Sequence, residues 1–168
     1  NLEEYLQSAI SFLQTQQSVL ERTLAILEEI AELAETMKAD VIRSISKEQE
    51  KESRKKFWKL RKELKSLAGL EFNEKPLFSK NGSDNSFKLF KEAGPNAPKI
   101  KQPAAPHYLK PLQKSDKEVN RESVFKSMQA LQEMLGQTDA TESDLQTSFT
   151  ALASNPDSEK KLQFIEER

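Results

Sequence analysis

The 168-residue chain contains no cysteine, a single histidine and only four glycines. Without cysteine it has no disulfide framework, no thiolate nucleophile and no cysteine metal site. One histidine excludes every metal site that needs several imidazole ligands. The sequence also lacks a run of 18 apolar residues, and no charged-then-apolar segment at its start resembles a signal peptide. We therefore expect no transmembrane helix, no metal site and no cofactor.

The chain carries almost no net charge and is poor in apolar residues. Its formal net charge is −1 at pH 7, so no overall field attracts nucleic acid or an anionic membrane. Apolar residues make up 36% of the chain and charged residues 32%. This balance suits long, thin helices that each bury only one stripe of side chains. We expect one mainly α-helical domain whose partners are neither nucleic acid, nor membrane, nor a small-molecule substrate.

Patterns of catalytic residues are also missing. There is no phosphate-binding glycine loop and no G-x-S-x-G motif. Glu28, Glu29 and Glu32 lie close together, but a di-metal carboxylate bundle requires Glu-x-x-His pairs, and no histidine accompanies them. Glutamates opposite the apolar rows of a helix are normally solvated. The sequence therefore predicts that the protein is not an enzyme.

Residues 2–42 form an amphipathic run without proline or glycine. Apolar residues recur every seven positions, which predicts a long helix that supercoils left-handed around partner helices. The two principal rows are Tyr5, Phe12, Val19, Ile26 and Leu33, and Leu6, Leu13, Leu20, Leu27 and Ala34. A third, weaker row holds Leu2, Ala9 and Ile30, and is interrupted by Gln16 and Thr23. Because three rows are wider than a two-stranded seam, this helix should contact at least two neighbours. It should be on the order of 60 Å long and end near residues 43–46.

A second helix of opposite charge is predicted over residues 47–70, with capping-box spacing from Ser46 to Gln49 at its start. Residues 1–46 carry a net charge of −5, whereas residues 47–65 carry +5. Its apolar positions are Phe57, Leu60, Leu64, Leu67 and Ala68, with Trp58 at the edge. We interpret it as an antiparallel partner of the first helix, with the opposite charges flanking a shared apolar seam. The alternative, a basic helix that binds nucleic acid, is disfavoured by its interleaved glutamates and by the lack of a base-reading motif.

The chain that follows this helix is predicted to be mostly irregular. Residues 86–90 alternate weakly, as expected of one short strand or half a hairpin after the Asn81-Gly82 turn signal. Residues 92–118 contain five prolines and should be extended and poorly packed. We interpret His107, within that segment, as a solvated loop residue.

Helical spacing returns from residue 118 or 123. The apolar positions of this third helix are Val124, Phe125, Met128, Leu131 and Leu135. Gly136 should weaken it, and residues 141–144 offer a capping-type restart. A stop at residues 155–157 precedes a short charged helix over residues 158–168.

The predicted architecture is an elongated antiparallel bundle of long helices with coiled-coil character, plus a small β-hairpin and a Pro-rich irregular segment. Residues 1–91 should form a long helical hairpin followed by a short β element. Residues 92–118 should form a linker or irregular loop, and residues 119–168 should return as helices packed on the first hairpin. The side chains expected in the bundle core are Leu13, Leu20, Leu27, Ile30, Leu33, Leu60, Leu64, Leu67, Val124, Met128 and Leu131.

Residues 10–34, ISFLQTQQSVLERTLAILEEIAELA, resemble the first long helix of the bacterial flagellin core domain. That helix typically begins I-S-L-x-Q-T-A-E-x-A-L and ends L-x-x-I/M-R-E-L-A, and the spacing matches without a gap. The matching positions are Ile10, Ser11, Gln14, Thr15, Leu20, Leu27, Ile30, Glu32, Leu33 and Ala34.

A second block follows in the same order as in that family. Residues 60–73, LRKELKSLAGLEFN, followed by Leu77 and Phe78, are similar to the family's second helix, which ends F-N-G-x-x-L-L/F. Phe72 and Asn73 match the first two letters of that ending. The family begins a small β-hairpin where this chain has its weakly alternating segment. A fainter third similarity places residues 135–152 roughly where the family's returning helix carries L-G-x-x-x-x-x-L.

The chain also departs from the family. The terminal helices that drive polymerisation are missing, and the intervening segment is too short for the outer domains of many flagellins. Glu74 stands where the family usually has glycine. Glu29 and Ala31 stand where many flagellins carry arginine in a surface recognised by an innate immune receptor. Because the chain opens in mid-helix register, we expect a fragment without its natural N-terminus.

The resemblance implies a structural subunit of the bacterial flagellar filament that acts through helix packing and self-assembly. It implies an extracellular location, reached through the flagellar secretion channel without a cleaved signal peptide. The implied partners are other copies of the chain or related filament subunits, and an export chaperone. Beside the core leucines, the implied assembly residues are Glu32, Phe72 and Asn73.

The alternative is a coiled-coil scaffold or adaptor that binds a partner helix, because the heptads alone support it equally well. The region from Phe72 onward distinguishes the two hypotheses. A flagellin core should place a short hairpin there, packed on the helical rod. A coiled-coil adaptor should instead be disordered from about residue 72 to residue 118.

Overall fold

The protein is mainly α-helical, as predicted, and the part of the chain that the structure describes has three helices and two small antiparallel β pairs. A computed structural model describes residues 1–36, 41, 43–80, 82–91, 94–104 and 121–154. In chain order the elements are α1 (Leu2–Thr36), α2 (Lys47–Ala68), β1 (Glu71–Phe72), β2 (Lys75–Pro76), β3 (Asn85–Phe87), β4 (Ile100–Gln102) and α3 (Arg121–Ser154).

The wide stripe of α1 is buried along the helix because other elements cover each of its rows. Both principal rows lie in the core, apart from Leu33, which is only partly buried. The described residues of α1 run to Thr36, whose hydroxyl is within hydrogen-bond distance of two carbonyl oxygens of the preceding turn. Residue 41 is helical as well, so the predicted end near residues 43–46 stays a prediction. Residues 37–40 and 42 of the predicted run lie outside the described part of the chain.

The predicted capping box starts α2. The Ser46 hydroxyl accepts a hydrogen bond of 3.1 Å from the backbone N–H of Gln49, whose side chain accepts one of 3.0 Å from the Ser46 N–H. These two reciprocal bonds satisfy two donors that the first turn leaves unpaired. At its other end the helix stops at Ala68, two positions before the predicted end, with Gly69 as its C-cap.

α2 packs on α1 through a narrow apolar stripe. Its buried residues are Phe57, Leu60 and Leu64, at the i, i+3, i+7 spacing of one helix face. A short connection separates the two helices, and the pairing of Arg22 with Glu63 shows that they run antiparallel. The predicted antiparallel partner of the first helix is confirmed.

α3 is one continuous helix of 34 residues, and it begins between the two predicted starts. The helix passes through Gly136 without a break, and the predicted restart over residues 141–144 is wrong. A glycine inside a helix costs only about 1 kcal/mol relative to alanine. Packing along α1 outweighs that cost, because Leu131, Thr138 and Leu145 are buried on both sides of the glycine.

Side-chain pairs show that α3 also runs antiparallel to α1. The Gln14 amide donates to Glu142 at 3.2 Å, and the Gln17 amide donates to Asp139 at 2.8 Å. The residue numbers rise along α1 as they fall along α3, so the two helices run in opposite directions. α1 is consequently packed between two antiparallel neighbours, as the width of its apolar stripe predicted.

β1 and β2 form a tight hairpin immediately after α2. Glu71 pairs with Pro76, and Phe72 pairs with Lys75. The two turn residues, Asn73 and Glu74, have φ angles of 48° and 68°. A type I′ turn requires positive φ at both central positions, and its twist matches that of the flanking strands.

β3 pairs antiparallel with β4, and this pairing corrects the prediction for the Pro-rich segment. Residues 94–104 are packed and not merely extended: Ala97, Ile100 and Ala104 are buried at 0–1% exposure. Ile100 of β4 pairs directly with Phe87 of β3. Prolines flank β4 without occupying it, so its backbone can still pair. Composition alone could not show this tertiary pairing.

Several predictions lie outside the described residues. These are the remainder of the Pro-rich segment from residue 105 onward, the loop position of His107, the stop at residues 155–157 and the short helix over residues 158–168.

Candidate assembly surface

The residues predicted to pack the helices meet in one apolar core. Buried at 0–6% exposure are Leu13, Leu20, Leu27, Ile30, Leu60 and Leu64, together with Val124 and Leu131 of α3. Partly buried against the same core are Leu33, Leu67, Phe72 and Met128. The heptad pattern therefore selected side chains that join all three helices.

The two polar residues of the predicted assembly set lie at the surface. Glu32 is exposed on α1, and Asn73 is exposed at the tip of the β1–β2 hairpin. Asn73 has a clear local role, because asparagine tolerates the left-handed backbone conformation better than most residues.

An aromatic cluster attaches the β segments to α1. The ring of Phe12 meets Phe72 and Phe87 edge-to-face, with centroid distances of 6.2 and 5.8 Å. Tyr5 meets Phe90 in the same manner at 5.0 Å. Edge-to-face pairs contribute about 0.5–1.5 kcal/mol beyond the area that they bury. Phe72 thus anchors the hairpin on the helical rod.

The Tyr5 hydroxyl joins two segments that are distant in the chain. It donates a hydrogen bond of 2.5 Å to the carbonyl oxygen of Pro98 and accepts one of 3.3 Å from the N–H of Leu89. The ring itself is fully buried. The sequence analysis counted Tyr5 only as a member of an apolar row, and nothing in the heptad pattern revealed its polar contacts.

Gln16 is a buried polar residue where α1, β4, α3 and the segment after β2 meet. Its side-chain amide donates to the carbonyl oxygens of Leu77 at 2.8 Å and Lys101 at 3.3 Å. Its amide oxygen accepts a bond of 2.8 Å from the Thr138 hydroxyl. The sequence analysis treated Gln16 as an interruption of the third row. Its position in that row was the available signal, because a polar residue in core register must find buried partners.

A groove between α1 and α3 contains Glu32. It is open, encloses about 550 Å³ and is lined by Glu28, Ala31, Glu32, Glu35, Phe125 and Met128. Three of these residues are apolar and three are carboxylates. Phe125 is 57% exposed, so the groove has an aromatic side chain that solvent can reach. We call this feature the acidic groove.

The outer face of α2 carries a stripe of cations around an indole ring. Its residues are Lys51, Lys55, Trp58, Lys62 and Lys65. Their spacing of i, i+4, i+7, i+11 and i+14 places them on one helix face. All five are exposed, Trp58 at 45%, and the Arg61 guanidinium lies 4.6 Å from the indole centroid. We call this feature the lysine–tryptophan stripe.

One ion pair between α1 and α2 has a polarity opposite to the predicted one. It joins a base of the acidic helix, Arg22, to an acid of the basic helix, Glu63, at 2.9 Å. The hydrogen bond and the charge of Glu63 raise the pKa of Arg22 above its ordinary value, so the guanidinium stays charged. The stripe lysines point away from α1, and their charge is presented to solvent.

Among the described residues, no group of three or more His, Cys, Asp or Glu side chains could hold a metal ion. No helix in the same part of the chain is long and apolar enough to cross a membrane. No protein-family model matches the chain, and no curated protein or solved structure is significantly similar to it.

Proposed function

We propose that this chain is a structural subunit of a bacterial flagellar filament, related to the flagellin core domain. The observation that carries the proposal is the hairpin that follows α2 and packs on α1 through Phe72. The flagellin resemblance predicted a short hairpin at this position. The adaptor hypothesis predicted disorder from the same residue onward.

The shape of the helical part supports the same proposal. α1 has 35 residues, and at about 1.5 Å per residue it spans roughly 50 Å. Two antiparallel neighbours hold it over most of that length. A subunit of a filament needs such a stiff rod, because each copy must present the same side-chain ridges to its neighbours.

The internal packing weakens the support for a coiled-coil adaptor. That alternative relied on the wide heptad stripe of α1, which would have to remain available to a partner helix. The stripe is instead covered within the chain by α2, α3 and the β segments. An adaptor would need to bind through another surface, so we rank this function second.

Immunogold electron microscopy tests the proposal. Antibodies raised against the purified chain would be applied to flagellar filaments sheared from the organism that encodes it. We expect gold particles along the filaments of the wild type and none along those of a strain that lacks the gene. Unlabelled filaments, or an organism without filaments, would contradict a filament role.

The export route is a separate part of the proposal and has its own test. The chain should accumulate outside wild-type cells and remain inside cells that lack the flagellar export ATPase. A strain without signal peptidase activity in the general secretion pathway is the matched control. Because the chain should be exported without a cleaved signal peptide, its release there should be unchanged. Release that is independent of the export ATPase would contradict the flagellar route.

A further inference from the structure

We propose that the acidic groove of one copy binds the lysine–tryptophan stripe of a second copy. This inference rests on the proposed function and names the two surfaces through which neighbouring subunits would meet. The groove supplies the exposed carboxylates of Glu28 and Glu32 beside an apolar lining, and the stripe supplies four lysines around Trp58. Each surface therefore carries both an aromatic contact and charges opposite to those of the other.

The apolar part of the groove suits an indole ring. Ala31, Met128 and the half-exposed Phe125 offer an aliphatic wall, a polarisable thioether and an aromatic face. Thioether sulfur and aromatic rings are favourable neighbours of tryptophan. Tryptophan is also the residue most enriched among energetically dominant interface residues. Trp58 is consequently the side chain that we expect to enter the groove.

The charges on the two surfaces have the same repeat. Glu28 and Glu35, which both line the groove, lie seven residues apart on α1. Lys55 and Lys62 also lie seven apart on α2. Seven helical residues rise about 10.5 Å, so two such helices laid side by side can place several opposite charges in register.

Within one chain these surfaces cannot meet. α2 contacts α1 through Phe57, Leu60 and Leu64, so the stripe on its outer face points away from α1 and the groove. The acids of the groove face the side of α1 that packs on α3. The opposite charges predicted to flank a seam inside the chain are thus largely displayed on two separate faces.

The two surfaces lie at a similar height on the rod. The Arg22–Glu63 pair sets the antiparallel register and brings Trp58 about level with residue 27. The groove begins at Glu28 on the same helix. Copies that pack side by side at nearly equal height can therefore join the stripe of one to the groove of the next. Such a contact between unlike surfaces continues from copy to copy and does not close into a dimer.

A second copy of the chain accounts for both surfaces, whereas a polyanion accounts only for the lysine–tryptophan stripe. Nucleic acid or an anionic vesicle would engage the lysines of the stripe but would leave the acidic groove and Phe125 without a role. The same chain already contains a surface with the complementary charge. We therefore commit to self-association and use the polyanions as outcomes of the test.

The test is a reciprocal charge exchange in the full chain. The groove variant carries Glu28→Lys and Glu32→Lys, and the stripe variant carries Lys55→Glu and Lys62→Glu. We expect each variant alone to self-associate at least about tenfold more weakly than the parent, as measured by sedimentation velocity at low ionic strength. An equimolar mixture of the two should recover association, because each groove then faces a stripe of opposite charge.

Two further variants complete the design. Trp58→Ala should weaken association about tenfold or more without changing charge. Glu3→Lys with Glu4→Lys is the matched control, since it makes the same charge change at exposed positions near the other end of α1 and should leave association unchanged. Circular dichroism confirms that every variant is folded.

The outcomes separate this inference from the proposed function. Failure of the parent to associate at about 1 mM, or failure of the mixture to recover association, would overturn the docking of groove and stripe. A second contrary outcome is that the parent and the groove variant bind a single-stranded oligonucleotide or phosphatidylserine vesicles, whereas the stripe variant does not. If the variants at the same time self-associate like the parent in sedimentation velocity, the docking of groove and stripe is also overturned. If filaments are gold-labelled but the mixture of variants does not recover association, the filament role stands and the docking of groove and stripe is rejected. If the mixture recovers association but filaments are unlabelled, the docking stands and the flagellar role is rejected.

Discussion

The hydroxyl of Thr138 donates a hydrogen bond of 2.8 Å to the side-chain oxygen of Gln16, and so joins α3 to α1 inside the core. The carbonyl oxygen of Met134 lies 3.0 Å from the same hydroxyl and is a second acceptor for its single proton. The amide of Gln16 meanwhile holds the carbonyl oxygens of Leu77 and Lys101. One side chain thus links both the β segments and the returning helix to the central rod.

Replacing Gln16 by alanine should destabilise the protein by about 2–4 kcal/mol. The substitution removes three hydrogen bonds and leaves the buried carbonyl oxygen of Leu77 and the partly buried one of Lys101 without the Gln16 amide, while the Thr138 hydroxyl keeps Met134 as an acceptor. Urea unfolding followed by circular dichroism measures the change. Gln17→Ala is the matched control, because Gln17 bonds Asp139 at an exposed position and its loss should cost well under about 1 kcal/mol. Equal effects of the two substitutions would contradict the role of Gln16.

Leu20→Asp should unfold the bundle. Leu20 is fully buried where α1 meets its neighbours, and an aspartate there would place an uncompensated charge in the core. We expect loss of the cooperative thermal transition, or a destabilisation above about 4 kcal/mol. Glu21→Asp tests the neighbouring exposed position and should change the melting temperature little. A parent-like melting temperature for Leu20→Asp would refute the assignment of this row to the core.

Glu74→Gly should stabilise the β1–β2 hairpin. Glu74 has a φ angle of 68°, a conformation that costs an L side chain roughly 1 kcal/mol and costs glycine little. The expected gain in unfolding free energy is about 0.5–1 kcal/mol. Glu71→Gly is the control, since Glu71 lies in an extended strand where glycine should destabilise. A loss of stability in Glu74→Gly would contradict the type I′ turn.

Tyr5→Phe should loosen the segment around Leu89 and cost about 1–2 kcal/mol. The change keeps the ring against Phe90 but removes the hydroxyl that donates to Pro98 and accepts from the Leu89 N–H. Native-state hydrogen exchange should show faster exchange of the Leu89 amide. Amides in the middle of α2 provide the internal reference and should keep their relative protection. Unchanged exchange at Leu89 would contradict the contact.

Local patterns predicted the helical part of the fold well. The heptad rows of α1 identified Leu13, Leu20 and Leu27 as core residues, because burial of a helix face imposes its period on the sequence. The capping box from Ser46 to Gln49 likewise depends only on residues within one turn. Both predictions succeeded since neither requires a contact with a distant part of the chain.

Local patterns failed where distant residues decide the conformation. The helix restart predicted over residues 141–144 did not appear, because burial of Thr138 and Leu145 against α1 outweighs the cost of one glycine at position 136. The prolines of residues 94–104 suggested a poorly packed segment, yet Ile100 is buried in β4. The assembly features were equally hidden, since the acidic groove exists only where α1 and α3 lie side by side.

The sequence by itself therefore determined three things about this protein: a long central helix with a stripe too wide for one partner, a basic helix after it, and the absence of cysteine chemistry. Only the tertiary structure decided which elements cover that stripe, and where the charges of the two helices point. Helix period and charge are properties of neighbouring residues in the chain. Contacts between residues more than ten positions apart set the pairing of β3 with β4, the hydrogen bonds of Gln16 and the separation of the groove from the stripe. No local pattern in the sequence encodes such contacts.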